Sequence, residues 1–286
     1  KRNCLVYRDL FFSLLSQIKT KARHHKFRFK NKPYSIDSNT VHLYLSVYNW
    51  AKFRKTKGEI KQHTKLNHSG YLPEIIHVSN ALDNDQRHAN RFTFNEGDID
   101  LFARCFDNYE QYASDCEEKI SFVTRMKVDA AYKVSERKDV SKYKHISSDH
   151  RITFTGYYSK RKCPLKLIRI RSINPENGKA IIILTNIFHL SAQIIAVLYK
   201  ERWQIEIFFK NIKQHLKIKS FIGTSQNAVL PQILVAMIAY LVLSYLKFLS
   251  TYKWTIRSIS VIVSKILFLK KDLWVWLNKP LEPIEL

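Results

Sequence analysis

Tyr199, Arg202, Glu206 and Lys213 are spaced so that a helix, at about 100° per residue, would carry all four on one narrow face. Lys210 and Lys217 fall on the same face. A glutamate among cations is either one half of an ordinary i, i+4 ion pair, here with Lys210, or a reagent. The chemistry open to a reagent is phosphoryl transfer at a nucleic acid, where two divalent ions are held against the scissile phosphate by carboxylates arriving from different elements. Asp37 is the second candidate, because in "YSIDSNTV" it stands mid-strand, where Asp is depleted and costly unless paired, ligated or working. Its structural alternative is a strand-end Asp that bonds the turn through Ser38.

The elements that must position these residues follow from periodicity. Ile205, Phe208, Phe209, Ile212 and Leu216 form an apolar stripe opposite Glu206, which predicts a docked helix over about 191–217. Trp203 and Phe208 are assigned to its packing. Further helices are expected at 5–20, 108–118, 226–249 and 256–268, and strands at 34–45, 59–67, 74–79, 98–103 and 120–126. Residues 81–95 suit a helix or an irregular connection. The stretch 128–185 is β-rich and basic, with "RITFTGYY", "LKLIRIRSI" and "KAIIILT" separated by "CP" and "NPENG" turn signals. Strands followed by a β-α-β unit indicate an α/β layer fold.

The chain carries 48 Lys and Arg against 24 Asp and Glu, a formal charge of +24, over 286 residues. The basic residues are spread through "KTKARHHKFRFKNK", "KFRKTKGEIKQHTK" and "YSKRKCPLKLIRIR" and interleaved with aromatics, so a polyanion is required as partner and nucleic acid leads over an anionic membrane surface. Cys4, Cys105, Cys116 and Cys163 form no C-x-x-C pair, which argues against a zinc knuckle or a disulfide framework and fits a reducing compartment. His24 and His25 read as part of a basic patch. The longest apolar run, 233–246, is short for a bilayer and follows Pro231 at an expected helix start, so it is read as a buried core helix. No cleavable signal sequence is evident, and without an initial Met the chain is expected to be a fragment.

The sequence resembles the bacterial transposases of the insertion-sequence-4 family, a branch of the DDE enzymes on a ribonuclease-H-like fold. Tyr199, Arg202, Glu206 and Lys213 match that family's Y-x2-R-x3-E-x6-K signature at every spacing. "YSIDSNT" is similar to the segment bearing the first catalytic Asp, "WAKFRKTKGEIKQHTKL" to the basic hairpin after it, and "FVTRMK" to the strand following the second. The likeness covers about residues 5–270. It implies an α/β ribonuclease-H-like core with a β-rich insertion between the second and third catalytic positions: a basic lead-in at 1–32, core at 33–127, insertion at 128–185 and a helical second part of the core at 186–286.

By the same resemblance Asp37 and Glu206 are catalytic and metal-binding, with Mg²⁺ or Mn²⁺ in a two-metal site. Tyr199, Arg202, Lys210 and Lys213 contact DNA. The implied partners are double-stranded transposon-end and target DNA and a second copy in a synaptic complex, with no membrane; the implied location is the bacterial cytoplasm, at the nucleoid. One departure matters: gapless alignment puts "ARCF" where the family has D-R-G-Y, so Ala103 replaces the second Asp, Cys105 the Gly and Phe106 the Tyr. Asp100 is on the opposite face by pleat alternation, and Asp107 lies beyond the loop. Only 36 residues precede Asp37, where the family has a DNA-binding region. The expected activity is cutting of transposon ends and their joining to target DNA, impaired by Ala103; the alternative is a catalytically dead remnant that binds DNA or poisons an intact transposase.

Overall fold

Strand β1 (Pro33–Leu43) is the axis of the molecule. It runs antiparallel to β3 (Lys57–Asn67) and parallel to β5 (Ile99–Phe102). The computed structural model describes residues 4–43, 52–54, 57–80, 92–103, 106, 108–215, 225–266 and 272–278. Within them, one ten-stranded sheet runs in the order β2 (Lys52–Arg54), β3, β1, β5, β6 (Ser121–Arg125), β10 (Ala180–Thr185), β9 (Leu167–Ile173), β8 (Ile146–Phe154) and β7 (Tyr132–Lys138), with β4 (Leu72–Asn80) also paired to β3. The central strands β1, β5 and β6 are mutually parallel, whereas β10 to β7 form an antiparallel meander continuing the same sheet.

Local chemistry explains most boundaries. The β3–β4 turn needs Gly70 at φ +79°, where a Cβ would stand 2.7 Å from the Phe248 ring. Asn108 caps α2 (Tyr109–Glu117) by accepting from the Glu110 amide, and Ser191 caps α4 (Ala192–Glu201) by accepting from the Ile194 amide. Between them, "GYYSKRK" leaves the strand expected for "RITFTGYY" and coils into the short α3 (Tyr157–Lys162).

Pleat alternation splits the middle of the sheet between two cores. Ile36, Phe102 and Phe122 pack with Tyr112 of α2 on one face, and Leu101 and Val123 pack with Ile195 and Leu198 of α4 on the other. A third core joins α1 (Cys4–Lys19), α5 (Gln204–His215), α6 (Gln226–Leu249), α7 (Ile256–Ile266) and α8 (Leu273–Asn278) to the β1, β3 and β4 end, around Phe11, Leu66, Phe208, Met237 and Tyr240.

Several expectations change. The single helix expected over 191–217 is two, α4 and α5, parted at Arg202–Trp203, where amides bond carbonyls three residues back (Arg202 to Tyr199, Trp203 to Lys200, Ile205 to Arg202). Trp203 sits on this tightened turn and is 57% exposed, so it does not pack in the core as expected, while Phe208 does. Pro231 lies inside α6 instead of starting it. That helix is long and apolar enough to cross a bilayer by composition alone, yet half of its most apolar window is buried against the rest of the protein. Asp107, Cys105, Lys217 and most of 81–95 lie outside the described residues.

Candidate active site

Asp37 sits inside β1, registered with Thr64 of β3. Its Oδ1 accepts the Ser38 amide at 2.8 Å, the local bond the structural alternative called for. Its other oxygen faces Arg202: the guanidinium Nη1 stands 3.4 Å from Asp37 Oδ2, while Nη2 donates to Glu206 Oε1 at 2.9 Å. Thus Glu206 pairs four residues back with Arg202, and the expected pair with Lys210 is not the one formed. The two carboxylates, 169 positions apart in sequence, are no further from each other than one arginine head allows.

The elements explain how this comes about. Ile205, Phe208 and Ile212 of α5 are buried in the helical core, which turns Glu206 toward the Arg202 that also meets Asp37 of β1 and leaves Lys210 exposed. The preceding helix α4 is anchored by Glu201, itself 7% exposed, which accepts from Lys26 Nζ at 2.6 Å and from the Tyr71 hydroxyl at 2.8 Å. With α4 fixed by that clamp and α5 by its apolar stripe, the tight turn between them aims Arg202 at both acids.

Burial works against the Arg202 charge, yet the Tyr199 phenol and the carboxylates of Asp37 and Glu206 outweigh it, and its pKa stands above the ordinary value. The guanidinium lies 5.9 Å from the Tyr199 ring centroid. Its Nε is buried and has no acceptor. Position 103 follows directly after the registered pair Ile36 and Phe102, where β5 ends, and the Ala103 side chain packs against the core of Ile36 and Phe102. Asp100, three residues earlier, is 6% exposed and lines a cavity with Ile36 and Phe102 on the other face of the sheet, as alternation requires. Lys210 is exposed and Lys213 half-buried on the outer side of α5.

The donor set can be tested against a divalent pair. Among the described residues no group of three or more His, Cys, Asp or Glu could hold a metal ion. Two-metal chemistry requires a carboxylate shared between the ions, and by the resemblance its position is the one held by Ala103. The remaining two acids are already neutralised by a guanidinium. As folded, these residues do not fit a two-metal centre.

The family model for the transposase DDE domain matches residues 28–242, which takes in Asp37, Ala103, Arg202 and Glu206. This chain belongs to the DDE transposase family. The transposase is 28% identical over 267 residues to the probable transposase for insertion sequence element IS5377 of Geobacillus stearothermophilus, covering 93% of this chain and 68% of that one. It is 30% identical over 245 residues to the putative transposase y4zB of Sinorhizobium fredii, covering 83% and 67%. A putative transposase for insertion sequence element IS4SA of Synechocystis is 25% identical over 256 residues, covering 86% and 69%. The transposase is thus of the insertion-sequence type, and its mixed sheet carries the ribonuclease-H-like α/β fold that the resemblance implied.

Sequence reasoning found Asp37, Arg202 and Glu206 but missed Glu201, Lys26 and Tyr71. A glutamate next to Arg202 on a basic segment carries no signal of burial; only the packing of the 22–32 segment and the β3–β4 turn around it does.

Proposed function

We propose that this transposase binds transposon-end DNA through the α4–α5 junction and that its cutting and joining chemistry is impaired. The observation that carries the reading is the position of Arg202 between Asp37 and Glu206 with a buried Nε lacking an acceptor. A guanidinium prefers flat, bidentate anions, and a DNA phosphate would compete with the two acids for it. Tyr199, Lys210 and Lys213 would contact the same backbone, holding it in register over the two acids.

Asp37 and Glu206 would be the first and last ligands of Mg²⁺ or Mn²⁺ in a competent relative, where the ions supply a polarised nucleophile and charge stabilisation at the phosphate. In this chain their place is taken by Arg202, and Ala103 offers no oxygen. Strands β7 to β10 belong to 128–185, proposed as the insertion between the second and third positions, and a second copy would complete a synaptic complex. The insertion-sequence-4 branch is the assignment favoured by the four-residue signature.

The test is a pair of measurements on the chain as it stands. Binding of duplex DNA should weaken steeply with salt and depend little on sequence, as phosphate contacts do. Supercoiled plasmid should be nicked weakly or not at all with Mg²⁺ or Mn²⁺. Brisk nicking that Glu206→Gln abolishes would overturn the impairment, and salt-insensitive binding would overturn the phosphate reading.

A further inference from the structure

A cavity of about 420 Å³ lies between β5 and α2, on the face of the sheet away from Asp37. Two acids line it. Asp100 is 6% exposed and its Oδ1 has no partner; Asp115 is 2% exposed, its Oδ1 accepts from Gln111 Nε2 at 2.7 Å, and its Oδ2 has no partner. Buried acceptors left open are rare and costly in folded proteins, and two on one cavity call for a donor from outside the chain. The remaining wall is aromatic, from Phe92, Phe94, Phe102 and Phe106, with the exposed Glu118 at the rim.

We propose that this cavity binds a small organic cation of the alkylammonium class, a diamine or polyamine, with Asp100 and Asp115 as its acceptors. A hard divalent ion fits poorly, since it wants six or more oxygens at short range and no trio of acidic or imidazole ligands stands here among the described residues. An ammonium needs fewer partners and tolerates rings beside its methylenes. The protein already solves that problem next door: the Lys65 ammonium donates to the Thr93 carbonyl and lies 3.9 Å from the Tyr34 ring centroid and 4.1 Å from that of Phe94. When ionised, Asp100 and Asp115 outnumber that single ammonium, and a second cation would balance them. In a chain of net charge +24, such an acidic pocket selects cations that the rest of the surface repels.

Burial, and after it the charge of Asp115, pushes Asp100 well above the ordinary carboxylate range; burial pushes Asp115 up to about 7. Protons therefore compete with the ligand, and binding strengthens as pH rises through about 7, where Asp115 ionises. The other titratable groups facing the pair are Glu118, at the rim, and Lys65, whose own charge draws on Glu74 and Asp98.

The experiment is a melting and calorimetric titration of the full chain with 1,4-diaminobutane, with sodium chloride at matched ionic strength as reference. A rise in Tm of about 2 °C or more at saturation is expected. Asp100→Asn and Asp115→Asn each abolish it; both keep side-chain shape and remove a buried charge, so the variants fold. Ser114→Leu, which adds bulk to the cavity wall and changes neither acid, abolishes it too. Glu206→Gln, on the opposite face of the sheet, keeps the response. No rise above the salt reference, or a rise that persists in both Asn variants, overturns the proposal. A response to Mn²⁺ in place of the diamine, lost in the same variants, also overturns it and makes the cavity a metal site.

Discussion

Arg202 holds Asp37 at 3.4 Å and Glu206 at 2.9 Å with the two ends of one guanidinium. The three side chains are 14%, 16% and 33% exposed, so this is a partly desolvated network and not a surface pair. Removing the cation strands two like charges. Arg202→Ala should destabilise the fold by about 1–3 kcal/mol in denaturant titrations, and Mn²⁺ should raise the Tm of this variant more than that of the parent, because the acids are freed for a divalent ion. An equal metal response in both proteins would show that Arg202 does not compete for the site.

Ala103 comes directly after Phe102 at the end of β5, one residue past its registered pair with Ile36 of the parallel strand β1. Ala103→Asp should supply a third carboxylate one residue past the end of β5 and raise Mg²⁺- or Mn²⁺-dependent nicking of supercoiled plasmid by at least about tenfold, a modest share of what such charge stabilisation can supply. The double variant with Glu206→Gln should return to background. Nicking unchanged by Ala103→Asp would place the lesion elsewhere.

Lys210 and Lys213 lie on the outer side of α5, away from its buried stripe. Each changed to Ala should weaken duplex DNA binding about equally for all sequences and lower the slope of log affinity against log salt by about 1. Sequence-selective losses would instead assign these lysines to base contacts.

Asp115 has its folded-state pKa raised by burial to about 7, well above the ordinary aspartate value of about 4. The folded state thus holds a proton that the unfolded chain releases, and stability contributed by this group is present at low pH and lost as pH rises from about 4 to about 7. Asp115→Asn should be the more stable protein at neutral pH, by a few kcal/mol at most, with the gap closing near pH 4. His68 has the opposite sign: burial lowers it from 6.5 to about 4, so its contribution is lost as pH falls from about 6.5 to about 4. Urea titrations of the parent and of Asp115→Asn across this range measure the difference directly.

Glu201 links the Lys26 ammonium and the Tyr71 hydroxyl to the end of α4. Glu201→Ala leaves both donors without their acceptor and should cost about 1–3 kcal/mol, while Glu201→Gln, which keeps the shape and one acceptor, should cost less. Equal losses would mean that the charge alone matters.

The hydrophobic periods of α5 and α6 and the spacing of Arg202 and Glu206 were written in local sequence, because helical repeat and side-chain direction follow from backbone geometry shared by every chain. The mid-strand place of Asp37 was legible in the same way, whereas the reading of position 103 rested on the family resemblance. Tertiary structure alone decided which cation meets which acid. Glu206 had Lys210 and Arg202 both four residues away, and the tight turn at Arg202–Trp203, set by the anchoring of α4 through Glu201 and of α5 through Phe208, selected Arg202 and turned Trp203 outward. Likewise Asp100 and Asp115 read as ordinary polar positions in a strand and a helix. Their burial on one cavity, with an oxygen each left open, arises because parallel pairing of β1, β5 and β6 fixes which pleat face meets α2, a long-range relation that no local pattern encodes.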